Sequence, residues 1–152
     1  MSCCSENNCE VSNTKQECPG CGHIGHGVQL KTVKSLLNKS LFEIKGKDYN
    51  FCSTSTCDVV YYEVNVGQIF TETDIDEKVY PKHLNDENVK VCNCFNYTLQ
   101  DIRQDVDETG NSKIFEKITQ GTKLGICACD LRNPEGKCCL PNIKNLLQNN
   151  RK

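Results

Sequence analysis

The sequence is poor in the residues that build large hydrophobic cores. Its 152 residues include no tryptophan and one methionine, and only 37% are hydrophobic and 7% aromatic. This length predicts one or two small domains. Modules of about 70 residues with so few apolar side chains would have thin cores, which usually need metals or disulfides for stability.

Strong charge and long apolar runs are also absent. The formal net charge is −2, which gives no electrostatic basis for a nucleic-acid partner. No apolar run approaches the roughly 18 residues of a membrane-spanning helix. The first eight residues have neither a basic nor an apolar signal region, so we expect no secretory signal and a reducing, cytoplasmic location.

Familiar catalytic patterns are missing as well. We find no paired carboxylates, no phosphate-binding glycine loop and no nicotinamide fingerprint. These absences favour a metal-binding or electron-transfer protein over a dedicated enzyme.

The chain is rich in one residue, cysteine, of which it has 13. Most of them fall into closely spaced pairs: Cys18-Pro-Gly-Cys21, Cys52-x4-Cys57, Cys92-Asn-Cys94, Cys127-Ala-Cys129 and Cys138-Cys139. The odd count, the missing signal and the strained geometry of adjacent bridges disfavour a disulfide framework. Thiolates select zinc, Cu(I) or iron–sulfur clusters, so the spacing predicts metal sites.

The residue pattern predicts an α+β fold with a flexible cysteine-containing tail at 1–17, a small β-rich zinc-binding module at 18–80 and a helical [2Fe–2S] module at 81–152. In the first module we expect a short helix over 30–38 and strands over 49–52, 58–64 and 68–73. The charged stretch 76–90 reads as a linker.

Helices dominate the predicted second module. Thr98 and Asp101 match a capping box, which predicts a helix over 99–108. Ser112 can cap a second helix over 113–121, and Pro141 suits the first turn of a C-terminal helix whose inner face includes Ile143.

Four cysteines are predicted to bind zinc: Cys18, Cys21, Cys52 and Cys57. Two pairs about 30 residues apart can supply a closed tetrahedral shell, which is the structural kind of zinc site and leaves no position for water. His23 and His26 follow the first pair and could each replace a thiolate, but we favour non-ligating roles for both. His83 is expected to be solvated.

The later cysteines suit a two-iron cluster. Each iron of a [2Fe–2S] cluster takes two thiolates, and Cys92-Asn-Cys94 before a capped helix can supply one pair. A second pair among the later cysteines, Cys127, Cys129, Cys138 and Cys139, would serve the other iron. A second zinc site is the alternative. Cys3, Cys4 and Cys9 could bind Cu(I) or could be incidental.

These motifs resemble a known family. The stretch from Cys92-Asn-Cys94-Phe to Gly125-Ile-Cys127 is similar to the bacterioferritin-associated ferredoxin-like [2Fe–2S] fold. The span 18–147 resembles the amino-terminal domain of CopZ-type copper chaperones through Cys18-Pro-x-Cys21, Tyr49-x-Phe51-Cys52-x4-Cys57, Cys92-x-Cys94-Phe and Asn133-Pro-x-Gly136-x-Cys138-Cys139.

The resemblance implies zinc on the first four cysteines, copper binding, and reduction of Cu(II) to Cu(I). It implies a [2Fe–2S] cluster on Cys92, Cys94, Cys127 (or Cys129) and Cys139 (or Cys138); spacing from Cys94 slightly favours Cys127, and we favour Cys139 for the fourth ligand. It implies as partners copper ions, an electron donor, and a copper carrier or pump. The Met-x-Cys-x-x-Cys motif of the family's copper-delivery domain is not found in these 152 residues. We therefore expect either a separate copper carrier or a role in electron supply alone.

Overall fold

A computed structural model describes residues 16–110 and 112–149, and it confirms the α+β fold. The N-terminal part is an antiparallel sheet in the order β1-β2-β3-β4. Its strands are β1 (His26–Gly27), β2 (Asn50–Phe51), β3 (Val59–Glu63) and β4 (Gln68–Thr71). The predicted strands are therefore confirmed with shorter ends, and β1 was not predicted.

Strand β3 lies at the centre of this part, and all five of its residues are buried. Phe51 of β2 pairs with Tyr61 of β3, which pairs with Phe70 of β4. Helix α1 (Leu30–Leu36) packs on the sheet through Val33 and closes the first core. Burial of both faces explains why β3 is a continuous apolar and aromatic run rather than an alternating one.

The C-terminal part is mainly helical, as predicted. A two-stranded hairpin of β5 (Lys90–Cys92) and β6 (Tyr97–Thr98) leads into α2 (Leu99–Thr109). The helices α3 (Lys113–Lys123), α4 (Cys129–Arg132) and α5 (Leu140–Asn149) follow. The capping box of α2 is confirmed, because the Thr98 side chain accepts from the Asp101 N–H and Asp101 accepts from the Thr98 N–H.

The second core lies between the β5–β6 hairpin and helices α2, α3 and α5. Its buried residues include Val89, Leu99, Ile102, Ile118 and Ile143. Ser112 caps α3 by accepting from the Phe115 N–H, as predicted. Among the described residues, no helix is long and apolar enough to cross a membrane.

The charged stretch 76–90 is not a free linker, and that prediction was wrong. Val79 is buried in the first core and Val89 in the second. A short 3-10 turn, Tyr80–Lys82, lies between them, and the Lys82 side chain contacts the Cys52 sulfur. The free energy gained by burying these two valines exceeds the tendency of the surrounding charges to stay in water, so the stretch packs against both parts of the protein.

Candidate metal centres

The first centre is a cluster of four sulfurs from Cys18, Cys21, Cys52 and Cys57, which all lie within 4.8 Å of one another. The Sγ atoms of Cys18 and Cys57 are 3.8 Å apart, and those of Cys21 and Cys52 are 3.6 Å apart. Zn–S bonds of about 2.3 Å in a tetrahedron place sulfurs about 3.8 Å apart. The four sulfurs are therefore already spaced for one zinc ion.

Backbone geometry holds the first cysteine pair in a tight turn. The Cys18 N–H donates to the His23 carbonyl, and the Gly22 N–H donates to the Cys18 carbonyl, both at 2.8 Å. Gly22 adopts φ +78°, a left-handed conformation that suits glycine. A Cβ at Gly20 would lie 2.9 Å from the Cys57 Sγ, so a larger residue there would press on the sulfurs.

Polar groups also surround these sulfurs. The Gly20 N–H lies 3.4 Å from the Cys18 Sγ, and the Thr54 hydroxyl lies 3.4 Å from the Cys21 Sγ. Lys82 Nζ donates to the Cys52 Sγ at 3.5 Å and to the Thr54 carbonyl at 2.7 Å. A lysine beside a site of net negative charge offsets part of that charge. Sequence reasoning missed Lys82 because it lies in the presumed linker.

The thiol pKa values in the first centre are spread apart. The hydrogen bond to Thr54 lowers the pKa of Cys21 to about 5, while burial raises that of Cys18 to about 12. Burial also raises the pKa of Cys57. Neighbouring thiolates repel one another, so the four can ionise together only with a bound cation, which is the behaviour expected of a metal centre.

A second group of sulfurs forms a row in the C-terminal part. The Sγ atoms of Cys94 and Cys129 are 3.3 Å apart. Cys139 lies near enough to Cys92 to lower its pKa, and Cys129 and Cys139 likewise lower the pKa of Cys138. Among the described residues, only the first centre has three or more sulfurs all within 4.8 Å of one another. The second group is thus extended rather than tetrahedral.

Three structural elements bring this row together. Cys92 ends β5 and Cys94 lies in the hairpin turn; Cys129 begins α4, and the Cys138–Cys139 pair immediately precedes α5. The backbone N–H of Ala128 donates to the Cys94 Sγ at 3.2 Å. The structure places Cys129 rather than Cys127 beside Cys94. Cys127 is disulfide-bonded.

The hairpin turn that carries Cys94 is tightly packed. Asn96 has φ +63°, a left-handed conformation that asparagine tolerates better than most residues. The Phe95 ring lies so close to α3 that a Cβ on Gly121 would be 2.5 Å from it. Asn93, between the two cysteines, is 6% exposed, and its buried Nδ2 has no hydrogen-bond partner. Such a donor suits an acceptor such as a sulfur-rich group.

The thiol pKa values alternate along the second row. Neighbouring thiols lower the pKa of Cys92, of Cys94 to about 7 and of Cys138 to about 3. The same neighbours raise the pKa of Cys129 and of Cys139. As in the first centre, full ionisation of this row requires added positive charge.

The structure also places the three histidines. His23 is exposed beside the first cysteine pair, and none of the three belongs to the four-sulfur cluster. His26 is half-buried, and its Nε2–H donates to the Glu135 carbonyl at 2.9 Å. His83, expected to be solvated, instead contacts the Glu72 carboxylate at 2.5 Å. Cys3, Cys4 and Cys9 lie outside the described residues.

The fold and the four-cysteine site define a zinc-binding domain. Residues 15–76 match the CopZ zinc-finger family, which is described as a zinc binding domain. A protein of Archaeoglobus fulgidus, named copper chaperone CopZ, is 32% identical over 134 residues. The match covers 85% of this chain but 60% of that protein, so the chain spans less than two thirds of this relative's length.

A solved structure agrees with this relationship. The X-ray structure of the Archaeoglobus fulgidus CopZ N-terminal domain superposes with a TM-score of 0.69 at 27% sequence identity. The match covers 86% of this chain and 97% of that one. The chain is therefore homologous to the N-terminal domain of that copper chaperone, and it carries the CopZ-type zinc-binding domain.

Proposed function

We propose that this chain is a zinc- and [2Fe–2S]-binding protein of the copper chaperone type, with one-electron transfer as its activity. The proposal keeps the modules at 18–80 and 81–152. Zinc is assigned to Cys18, Cys21, Cys52 and Cys57, where it would stabilise the small sheet. The site has four thiolates and no open position, so its role is structural.

The extended row of sulfurs is the observation that carries the redox part of the proposal. A single zinc ion needs four sulfurs around one point, whereas a two-iron cluster needs two pairs set apart. Cys94 and Cys129 supply one close pair, with their sulfurs 3.3 Å apart. Cys92 and Cys139, which affect each other's pKa, would supply the other pair, in place of the expected Cys92–Cys94 pair. We assign the cluster to these four. Cys138 is then a fifth thiol at its edge.

The residues around the row suit such a group. The Ala128 N–H is already directed at the Cys94 sulfur, and the buried Asn93 amide has a free donor. N–H donors to sulfur stabilise the reduced, more negative state of an iron–sulfur centre. When bound, the cluster supplies one-electron transfer, so that one reduced chain can convert one Cu(II) to Cu(I). The protein's own residues bind the sulfurs, limit water and tune the potential.

Copper is the expected substrate rather than a resident cofactor. The relative's name connects it to copper, and Cu(I) binds soft thiolates. Cys138 at the cluster edge and Cys3, Cys4 and Cys9 are candidate Cu(I) ligands. The partners would be copper ions, a one-electron donor and a copper carrier or pump, in a cytoplasmic setting.

The test is the reduction of Cu(II) by the reduced protein. Anaerobic protein is reduced with dithionite, desalted and mixed with one equivalent of Cu(II), and Cu(I) is measured with a chromophoric chelator. We expect about one Cu(I) per chain, with the visible bands returning as the protein is oxidised. The C94S variant, with zinc bound but the cluster disrupted, should show no visible bands and should form less Cu(I), because only its free thiols can then supply electrons.

The alternatives give different results in the same assay. A ferredoxin-like electron-transfer partner without a copper role would hold the cluster but would not bind the Cu(I) that forms. It would reduce Cu(II) no faster than other [2Fe–2S] proteins that have been reduced with dithionite. A non-redox zinc adaptor would bind about two zinc ions, contain no sulfide and produce no Cu(I).

A further inference from the structure

The segment between Cys129 and Cys138, which carries both of these sulfurs, is held by side chains of the N-terminal sheet region. It consists of the one-turn helix α4 (Cys129–Arg132) and the turn 133–137. A helix this short has almost no stability of its own. Its position must therefore come from contacts with the rest of the protein.

Three side chains of the sheet region donate to three backbone carbonyls of this segment. The Thr32 hydroxyl of α1 donates to the Asp130 carbonyl at 2.6 Å. The Tyr61 hydroxyl of β3 donates to the Pro134 carbonyl at 2.5 Å. His26 of β1 donates to the Glu135 carbonyl, as described above. These three residues come from three different elements, so they fix the segment at both ends.

Packing and charge reinforce the three hydrogen bonds. Lys31 Nζ lies 2.7 Å from the Asp130 carboxylate. A Cβ at Gly136, which has φ +72°, would lie 3.3 Å from the Thr32 Oγ1, so the turn is closely packed against α1. Both Thr32 and Tyr61 are fully buried at 0% exposure. Water therefore cannot easily replace their hydroxyls as donors.

We propose that Tyr61, Thr32 and His26 are positioning residues that hold Cys129 and, through the turn 133–137, the adjoining Cys138–Cys139 pair in place for the second metal centre. The zinc-bearing sheet thus acts as a rigid support for the redox centre, which gives a physical reason for joining the two sites in one chain. This inference rests on the proposed cluster. Because the acceptors are backbone carbonyls, the support does not depend on the identity of the side chains at 130, 134 and 135.

The test compares two tyrosine-to-phenylalanine variants in the anaerobically purified, metal-loaded protein. Y61F removes the hydroxyl that reaches the segment. Y49F is the matched control, because Tyr49 lies in the same sheet region, is 1% exposed, and bonds to Lys45 and Gln68 instead. Zinc and iron contents, visible circular dichroism, electron paramagnetic resonance, reduction potential and amide hydrogen exchange are measured for each.

We expect both variants to retain zinc. Y61F should shift the reduction potential and change the visible circular dichroism and electron paramagnetic resonance spectra. The backbone amides of residues 133–137 should exchange with solvent at least about tenfold faster. Y49F should match the wild type in all of these. Equal behaviour of Y61F and Y49F would overturn the proposal.

A second pair of variants covers the case in which Y61F does not fold. T32V removes the other buried hydroxyl, and S35A removes an exposed hydroxyl that bonds within the same helix to Lys31. T32V should reproduce the spectral and exchange changes, and S35A should not; no difference between them would also overturn the proposal. A wild-type protein without iron and sulfide would instead refute the proposed function, while hydrogen exchange would still test the support of the segment.

Discussion

Replacing Lys82 by methionine should weaken zinc binding although Lys82 is not a ligand. Its Nζ lies 3.5 Å from the Cys52 Sγ. A unit charge pair at that distance interacts by about 1 kcal/mol in water and about 5 kcal/mol at an effective dielectric constant of 20. Lys82 is partly exposed, so we expect a loss of about 1.5–3 kcal/mol, or about 10–100-fold in zinc affinity. Methionine keeps the length of the aliphatic stem, so the change is mainly electrostatic.

The assay is competition with a chromophoric zinc chelator at neutral pH. The matched control is K78M, because Lys78 is an exposed lysine nearby that pairs with Asp86 rather than with a sulfur. We expect K82R to retain most of the wild-type affinity, and the K82M deficit to shrink at high salt as the wild type is screened. Equal zinc affinities for K82M and K78M would show that Lys82 does not act on the centre.

Three other changes test separate parts of the structure. G121A should displace the Phe95 ring beside Cys94. We expect the unfolding free energy measured in urea to fall by about 1–3 kcal/mol and the iron content to decrease. A variant with unchanged stability and iron content would contradict the tight packing. C139S should lose most of the cluster absorbance while C138S keeps it, and the reverse order would reassign the fourth ligand. Burial lowers the pKa of His26, so the unfolded chain takes up the proton first as the pH falls. The unfolding free energy of the wild type should therefore decrease from about pH 7 to pH 5. The thermal unfolding temperature of H26Q should decrease less over the same range.

Local signals in the sequence predicted the main helices and strands because each depends on nearby residues. The reciprocal capping of Thr98 and Asp101 determined the start of α2, and the β-branched and aromatic run at 59–63 determined β3. Strand β1 was missed because two residues in a glycine-rich stretch carry no periodic pattern. Helix α4 was missed for a related reason, since four residues are held in place by distant contacts.

In the candidate sites, too, features that depend on nearby residues were predicted, and features that depend on distant contacts were not. The pair spacing of Cys18, Cys21, Cys52 and Cys57 indicated a common centre, and their sulfurs lie together. Spacing slightly favoured Cys127, but Cys129 lies beside Cys94, because the choice depends on where α4 begins relative to the hairpin turn. Lys82 was missed because its contact with Cys52 joins residues 30 positions apart across a stretch that looked like a linker.

The central claim is that one chain holds one zinc ion and one [2Fe–2S] cluster. It is tested most directly by the visible absorption spectrum of anaerobically purified protein, with iron, zinc and sulfide quantified in the same sample. We expect bands between roughly 400 and 600 nm that bleach with dithionite, together with about two irons, two sulfides and one zinc per chain. A colourless protein with about two zinc ions and no sulfide would contradict the account and leave a protein with two zinc sites.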